Sequence, residues 1–199
     1  MSKKKEKIIQ DIKVILLGDS GVGKTSLINV ITGNEFSEET SCTISTTYVA
    51  KNYKINSNEY KVNLWDTAGQ EKYRQITKLF YKGSDIVIFV YDIASKESFK
   101  NLKMWIQEVK DIIDTKYTYA LLGNKKDLYI NEQVKESEAK KLALEFHMKH
   151  KLVSAKTDPK SFDDFLQELI KDSENILKEK NQNVSLEKNN KKEKNKCNC

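Results

Sequence analysis

The residues with the clearest chemical potential form a glycine-rich segment near the start of the chain. Gly18-Asp19-Ser20-Gly21-Val22-Gly23-Lys24-Thr25 fits G-x-x-x-x-G-K-[ST], directly after an apolar run at 14–17 and before a helical pattern that begins at Ser26. Glycines let the backbone curl so that its N–H groups point at phosphate oxygens. Lys24 would reach the β and γ phosphates, and the Thr25 hydroxyl would ligate Mg²⁺. The segment therefore predicts a nucleoside phosphate site.

A second group of polar residues, Asp66-Thr67-Ala68-Gly69-Gln70, closes another strand-like run. An acid at a strand end beside a phosphate loop can hold the metal, usually through a water, and a glycine lets its own N–H approach the γ phosphate. Gln70 would then orient an attacking water, so Gln70 and Lys24 are the predicted catalytic residues. Taken alone, Asp66-Thr67-Ala68-Gly69 also fits a simple turn.

A third motif predicts which base is bound. Asn124-Lys125-Lys126-Asp127 follows the apolar run at 120–122 and so lies at the carboxyl end of a further predicted strand. A carboxylate there can accept hydrogen bonds from the N1–H and the exocyclic amino group of guanine, whereas adenine offers no such pair. The motif thus favours GTP over ATP, although by itself it would also fit a solvated loop in a chain this rich in Lys and Asn.

The elements that must position these residues are strands alternating with helices. Runs at 14–17 and 86–91 read as strands buried on both faces of a parallel sheet, whereas 47–55 and 59–65 form a hairpin around 56–58. Amphipathic helices are predicted from an N-cap at Ser95 to 113, around 142–146, and from Pro159 to about 177. We expect an α/β fold with a six-stranded, mostly parallel sheet, one antiparallel strand and helices on both faces.

Composition limits the function classes. The 199 residues are enough for one domain with a stable core, and the three cysteines suggest no disulfide framework. The net charge of +6 is concentrated at the two ends, in residues 1–13 and 178–199, so the body is close to neutral. That distribution argues against a basic nucleic-acid-binding protein. Neither a signal peptide nor a transmembrane run is recognisable, so a cytoplasmic location is expected.

The three motifs, in this order and spacing, resemble the Ras superfamily of small GTPases over roughly residues 8–177, and most closely the Rab family. The Rab-like segments are Lys61-Val62-Asn63-Leu64-Trp65, Lys72-Tyr73-Arg74-Gln75-Ile76-Thr77, Phe80-Tyr81-Lys82-Gly83-Ser84 and Phe89-Val90-Tyr91-Asp92-Ile93. The resemblance implies the P-loop GTPase fold, binding of GTP and GDP with Mg²⁺, slow hydrolysis of GTP without an activating protein, and a role as a membrane-recruited switch in vesicle trafficking.

The resemblance also assigns roles to single residues. Thr43 would ligate Mg²⁺ together with Thr25 and Asp66 and would sense the γ phosphate. Phe36 would pack edgewise against guanine, and Ser154-Ala155-Lys156 would complete the base pocket. The predicted nucleotide-binding set is Asp19, Ser20, Gly21, Val22, Gly23, Lys24, Thr25, Ser26, Phe36, Thr43, Gly69, Asn124, Lys125, Asp127, Ser154, Ala155 and Lys156.

The last residues resemble the Rab prenylation site, with lipid expected on Cys197 and Cys199. We accordingly predict a flexible basic N-terminus at 1–7, a GTPase domain at 8–177 and a disordered tail at 178–199. The protein would cycle onto the cytosolic face of endomembranes by this lipid anchor. Expected partners are a GTPase-activating protein, an exchange factor, a GDP-dissociation inhibitor and effectors, with the chain itself a monomer that binds no nucleic acid.

One segment departs from the Rab pattern. Rab proteins usually read Ile-Gly-Val-Asp-Phe where this chain has Ile44-Ser45-Thr46-Thr47-Tyr48. The departure motivates an alternative, a nucleotide-binding scaffold that does not turn over. The sole arginine, Arg74, lies in the second switch segment, so we expect the positive charge that speeds hydrolysis to come from an activating protein. Trp65 and Trp105 are expected to be packing residues and not a platform for the nucleotide, with Trp65 also a candidate for an effector surface.

Overall fold

The computed structural model describes residues 9–38, 43, 46–68, 75, 78–113 and 116–194. The strands are β1 Ile9–Leu17, β2 Thr47–Ile55, β3 Asn58–Asp66, β4 Ile86–Asp92, β5 Thr118–Asn124 and β6 Lys149–Leu152. The α-helices are α1 Lys24–Ile31, α2 Lys96–Lys100, α3 Leu102–Ile112, α4 Glu136–Glu145 and α5 Pro159–Lys194, and a 3₁₀ helix spans Lys126–Asn131.

The six strands form one sheet in the order β2-β3-β1-β4-β5-β6. Only β2 runs against its neighbour, and β1, β3, β4, β5 and β6 are parallel. This confirms the predicted fold class. The carboxyl ends of the five parallel strands therefore meet at one edge of the sheet, where ligands bind in open α/β folds.

Both faces of the sheet are covered, which explains the uninterrupted apolar runs. Val14 and Leu16 of β1 pack into a core shared with α1 and α5, whereas Ile15 and Leu17 point to the opposite face, beneath α3 and α4. Alternate residues of a strand point to opposite faces, and helices cover both faces, so all four side chains are fully buried. None of the helices described here is long and apolar enough to cross a membrane.

Several predicted boundaries need correction. The first helix begins at Lys24 and not at Ser26, and β1 begins at Ile9, before the apolar run at 14–17. The hairpin turn is only two residues long, because Asn58 already pairs with Ile55, and Asn56 takes the left-handed backbone conformation (φ 55°). The last helix begins at Pro159 as predicted, but its expected end near 177 is wrong, since it continues to Lys194. No glycine or further proline follows Pro159, and Lys, Glu, Gln and Leu all favour helices. The division into domain and tail stays a prediction.

The predicted helix from Ser95 to 113 is present as two consecutive helices. Ser95 caps α2 as predicted, because its hydroxyl oxygen accepts a hydrogen bond from the Ser98 N–H (3.2 Å). Asn101 separates α2 from α3, and its side chain leaves the helical surface to reach Asp19 of the glycine-rich loop. A contact between segments far apart in sequence therefore marks the junction, and no local periodicity could reveal it.

A polar network fastens the β2–β3 hairpin to α5 and α1. The Asp163 carboxylate accepts hydrogen bonds from Lys51 Nζ (2.6 Å) and the Tyr53 hydroxyl (2.7 Å), and Lys51 Nζ also donates to the Ile31 carbonyl (2.7 Å). Burial by itself raises the pKa of Asp163, but the bonds from Lys51 and Tyr53 outweigh it and hold the pKa below its ordinary value. The hairpin that carries Asp66 is thus tied to the helical layer.

We predict that Asp163→Ala lowers the free energy of unfolding at pH 7 by about 1–2 kcal/mol, because it leaves Lys51 and Tyr53 without their shared acceptor. Since the folded pKa of Asp163 is depressed, its contribution is present above the unfolded pKa of about 4 and is lost as the pH falls through the folded value. Urea unfolding of the nucleotide-loaded protein would measure both effects.

Asp172→Ala is the matched control for Asp163→Ala. Asp172 lies on the same helix and pairs with Lys149 (2.6 Å), but both side chains are more than two-fifths exposed. Its removal should cost less than about 0.5 kcal/mol. Equal losses for the two variants, or a difference between wild type and Asp163→Ala that does not shrink toward pH 3, would contradict this account of the network.

Candidate functional site

A cleft of about 280 Å³ lies at the carboxyl edge of the sheet, where the three sequence motifs converge. It is lined by parts of the glycine-rich loop, α1, the segment after α1 and the loops that follow β3, β5 and β6. The predicted site residues that line it are Ser20, Gly21, Gly23, Lys24, Thr25, Ser26, Phe36, Thr43, Asn124, Lys125, Asp127, Ala155 and Lys156.

The remaining predicted residues lie behind the lining or outside the described residues. Val22 and Ser154 are buried behind it, and the Asp19 carboxylate bonds to the α2–α3 junction. Asp66 lies at the end of β3, within hydrogen-bonding distance of Thr25 and Thr43. Gly69, Gln70, Cys197 and Cys199 lie outside the part of the chain that the structure describes, so their roles stay predictions.

Two glycines of the glycine-rich loop lie so close to neighbouring atoms that a side chain would not fit there. A Cβ at Gly18 would lie 2.1 Å from the Val90 carbonyl oxygen, and one at Gly23 would lie 2.3 Å from Asn124 Nδ2. Gly23 also has φ 95°, in the region that L-residues with side chains avoid. The loop therefore needs glycine at these positions in order to wrap closely between β4 and β5.

Lys24 supplies the positive charge of the loop. Its ammonium group folds back to donate to the carbonyl oxygens of Gly18 (2.8 Å) and Asp19 (2.9 Å). Burial lowers the pKa of Lys24 to about 8, against the opposing charges of Asp66 and Asp19. A desolvated cation at the base of a cleft is an environment that a phosphate anion would stabilise.

Three oxygen-bearing side chains meet beside Lys24. The Thr25 hydroxyl donates to Asp66 Oδ2 (2.8 Å), and the Thr43 hydroxyl lies 2.8 Å from Thr25 Oγ1 and 3.4 Å from Asp66 Oδ2. The structure thus brings together the predicted Mg²⁺ ligands, although residues 25, 43 and 66 belong to separate segments of the chain.

One observation shows that this oxygen cluster fits a metal ion. Asp66 Oδ1 is buried and has no hydrogen-bond partner in the described part of the chain, and burial raises the pKa of Asp66 although the bond from Thr25 opposes the rise. Hard cations prefer such oxygen ligands, and Mg²⁺ usually binds through one or two protein groups plus phosphates. Among the described residues no group of three His, Cys, Asp or Glu side chains offers another metal site.

The end of the cleft beside the loops after β5 and β6 is organised by two side chains. Asp127 Oδ1 accepts a hydrogen bond from the Ser154 hydroxyl (2.5 Å), which fixes the orientation of the carboxylate. Asn124 is buried and joins three segments, because its Nδ2 donates to the Val22 carbonyl (2.9 Å) while its Oδ1 accepts from the Ala155 N–H (3.2 Å). The glycine-rich loop, the end of β5 and the loop after β6 are therefore one connected unit.

Lys125 and Lys156 form the walls of this end. Lys125 has a left-handed backbone (φ 64°), and its Nζ pairs with Asp92 Oδ2 at the end of β4 (2.7 Å). Lys156 Nζ donates to Glu38 Oε1 (2.5 Å), and this bond lowers the pKa of Glu38 and raises that of Lys156. The ion pair joins the loop after β6 to the segment after α1 across the rim of the cleft.

Sequence reasoning missed four lining residues: Ser37, Glu38, Thr67 and Leu128. Thr67 belongs to a recognised motif, and its buried hydroxyl donates to the Leu16 carbonyl (2.6 Å), which ties the end of β3 to β1. Leu128 directly follows Asp127 and so could have been included by adjacency. Nothing in the sequence signals Glu38, because its importance arises only from the approach of Lys156.

An aromatic cluster lies on the sheet face near the end of β3. The Trp65 ring stacks on Tyr48 at a centroid distance of 5.2 Å and contacts Phe80 at 5.3 Å, while Lys13 Nζ lies 4.9 Å from its centroid. Tyr48 is 59% exposed, so the cluster presents an aromatic surface next to the cleft. Trp105, in contrast, is fully buried, which confirms its role in packing.

Comparisons with known proteins agree with this geometry. Residues 13–175 match the model of the Ras family. The chain is 41% identical over 145 residues to the Ras-related protein Rab-11A of Dictyostelium discoideum, a match that covers 73% of this chain and 66% of that protein. It is 36% identical over 174 residues to the Ras-related protein Rab-2B of the same organism, covering 87% of this chain and 84% of the relative.

A third relative is the Ras-related protein RGP2 of Oryza sativa, which is 40% identical over 131 residues, or 66% of this chain and 60% of that protein. The chain therefore spans slightly less than two thirds of Rab-11A and of RGP2, but most of Rab-2B. The matched region of the family model includes the glycine-rich loop and the segments that follow β3, β5 and β6.

We predict that Asp127→Asn exchanges the preferred base. The amide would offer an N–H₂ donor where the carboxylate offers an acceptor, so it would match the C2 carbonyl of xanthine better than the amino group of guanine. Titration with fluorescent GDP and XDP should show GDP affinity falling by at least about 100-fold while XDP affinity rises.

Asp158→Asn is a suitable control for Asp127→Asn, because Asp158 caps α5 through its carboxylate (3.2 Å to the Ser161 N–H) and an asparagine can cap equally well. It should leave the preference for GDP over XDP unchanged. Loss of affinity for both nucleotides in Asp127→Asn, without a gain for XDP, would contradict the assigned contact with the base.

Proposed function

The chain belongs to the Ras family, with relatives that are named as Rab proteins, and we propose that it is a Rab-type GTPase that acts as a switch in vesicle trafficking. The observation that carries the proposal is the convergence of the loop lysine, three oxygen ligands and an oriented Asp127 around one cleft. The reaction is hydrolysis of GTP to GDP and phosphate.

The chain's own residues bind and orient the nucleotide more than they react with it. Loop N–H groups and Lys24 would bind the phosphates, while Asp127 would hold the base, so that the γ phosphate lies near Thr43 at the other end of the cleft. Thr25, Thr43 and Asp66 would hold Mg²⁺, which supplies charge neutralisation on the phosphate oxygens when bound. Thr43 would thereby sense whether a γ phosphate is present.

Hydrolysis depends on the placement of one water molecule. We assign the orientation of that water to Gln70, which follows the Asp66 segment in the sequence. Because Arg74 is the only arginine, the chain offers few groups to stabilise the charge that develops in the transition state. An activating protein that inserts an arginine would accelerate hydrolysis by about 10³–10⁵-fold.

We predict that Gln70→Leu keeps the protein in its GTP form in the presence of a cell extract, because leucine cannot hydrogen-bond the attacking water. The bound nucleotide, eluted and separated by chromatography, should be mostly GTP for this variant and mostly GDP for wild type.

Gln133→Leu, an exposed substitution before α4, should behave like wild type in the same assay. Intrinsic turnover near 1 per second in purified wild type would contradict the need for an activator. A wild type that retains GTP in extract as completely as Gln70→Leu would instead favour the non-hydrolysing scaffold.

We assign effector binding to the surface around Thr43 and the start of β2. Effectors that distinguish the GTP form must touch segments that respond to the γ phosphate, and Thr43 belongs to the segment that leads into β2. The aromatic cluster of Tyr48, Trp65 and Phe80 lies on β2, β3 and the segment before β4. We therefore assign it to the surface that an effector would contact when GTP is bound. An exchange factor and a GDP-dissociation inhibitor would complete the cycle.

Membrane recruitment is the remaining part of the proposal. Lipid chains on Cys197 and Cys199 would supply the two apolar anchors that stable attachment requires, and the seven lysines of residues 178–199 would add about 1 kcal/mol each near an anionic membrane. The lipid chains and the lysines would act together on the membrane, because they lie in the same short segment of sequence. We place the protein on the cytosolic face of endomembranes, in exchange with the cytoplasm.

We predict that replacing Cys197 and Cys199 together by serine moves the protein from the membrane fraction to the supernatant, because it removes both lipid acceptors. Fractionation of cells that express N-terminally tagged protein would measure the shift. Cys42→Ser, the remaining cysteine, is the matched control and should stay with membranes. A double variant that still sediments with membranes would refute the anchor.

A further inference from the structure

The glycine-rich loop contains a carboxylate that does not face the cleft. Asp19 directly follows Gly18, yet its side chain points to the junction between α2 and α3. Asp19 Oδ1 accepts a hydrogen bond from Trp105 Nε1 (2.8 Å), and Asp19 Oδ2 accepts one from Asn101 Nδ2 (2.7 Å). Each carboxylate oxygen therefore has a donor from the same pair of helices.

A carboxylate at this position could weaken phosphate binding in two ways. Aspartate side chains readily accept hydrogen bonds from backbone N–H groups two residues further along, as in Asx turns. In this loop, such a bond would capture the N–H of Gly21, which belongs to the group of donors that the phosphates need. A negative charge directed into the cleft would also repel the phosphates themselves.

The two donors are well suited to hold the carboxylate away. Trp105 is fully buried in the core beneath the sheet, so its indole N–H occupies a fixed position. Asn101 is the single residue between α2 and α3, where it can extend its side chain toward the loop while both helices continue. Bonds to a charged acceptor are stronger than those between neutral groups, so two of them can compete with an Asx turn.

We propose that Asn101 and Trp105 are positioning residues of the nucleotide site, which hold the Asp19 carboxylate outward and so leave the loop N–H groups available to the phosphates. The inference rests on the proposed guanine nucleotide binding. It assigns to the α2–α3 junction a role in nucleotide retention, although neither residue lines the cleft. Asn101 acts through Asp19 and does not touch the nucleotide.

The test is the dissociation rate of fluorescent GDP from the full chain, loaded with Mg²⁺ and chased with unlabelled GDP. Asn101→Ala should release GDP about tenfold faster than wild type, because Asp19 Oδ2 loses its donor and then competes for loop N–H groups. The double variant Asp19→Ala and Asn101→Ala should recover most of this loss, since the competing carboxylate is gone. Trp105→Phe, which keeps an aromatic ring but removes the N–H donor, should behave like Asn101→Ala.

The rescue separates this role from simple structural bracing. If the bonds merely fastened the loop to α3, removal of Asp19 would not restore retention, and a double variant as fast as Asn101→Ala would overturn the inference. Gln107→Ala, an exposed amide on α3, is the matched control and should release GDP at the wild-type rate. Failure of wild type to load GDP at all would instead refute the proposed function and this inference with it.

Discussion

The buried side chain of Asn124 is the contact on which the rest of the site depends. Its amide bridges the Val22 carbonyl of the glycine-rich loop and the Ala155 N–H of the loop after β6. Both partners are backbone groups, and Asn124 is only 1% exposed, so neither could turn to water if this side chain were lost. The glycine-rich loop and the loops after β5 and β6 are therefore held in a fixed relation at the two ends of the cleft.

At this cleft the charges of Lys24 and Asp66 are only partly stabilised by the surrounding protein groups. The buried ammonium group of Lys24 donates to two carbonyl oxygens, and Asp66 Oδ1 is buried without a hydrogen-bond partner among the described residues. Both groups are destabilised in their charged forms, as their shifted pKa values show. A phosphate group and a divalent cation would remove both penalties at once. Outside the cleft, in contrast, the Asp163 carboxylate accepts hydrogen bonds from three donors and the Asp19 carboxylate from two.

Much of this arrangement could be predicted from local patterns. The P-loop spacing identified Lys24 and Thr25, and the apolar runs identified β1 and β4 and hence the edge of the sheet at which the motifs meet. Strand and helix ends were less predictable. The break at Asn101 depends on a distant acceptor, Asp19, which no local pattern reveals. The continuation of α5 to Lys194 is consistent with the sequence, which has no glycine or proline after Pro159, but the low content of apolar residues there favoured an earlier end.

The sequence by itself determined which chemical groups are available and where along the chain they occur, because glycine spacing, strand-end acids and apolar periodicity are local properties. Only the tertiary structure decided which of them act together. The pairing of Glu38 with Lys156, the meeting of Thr25 with Thr43 and Asp66, and the outward hold on Asp19 all join residues far apart in sequence. Such contacts arise from the order of strands in the sheet and the packing of helices on it, which no single segment encodes.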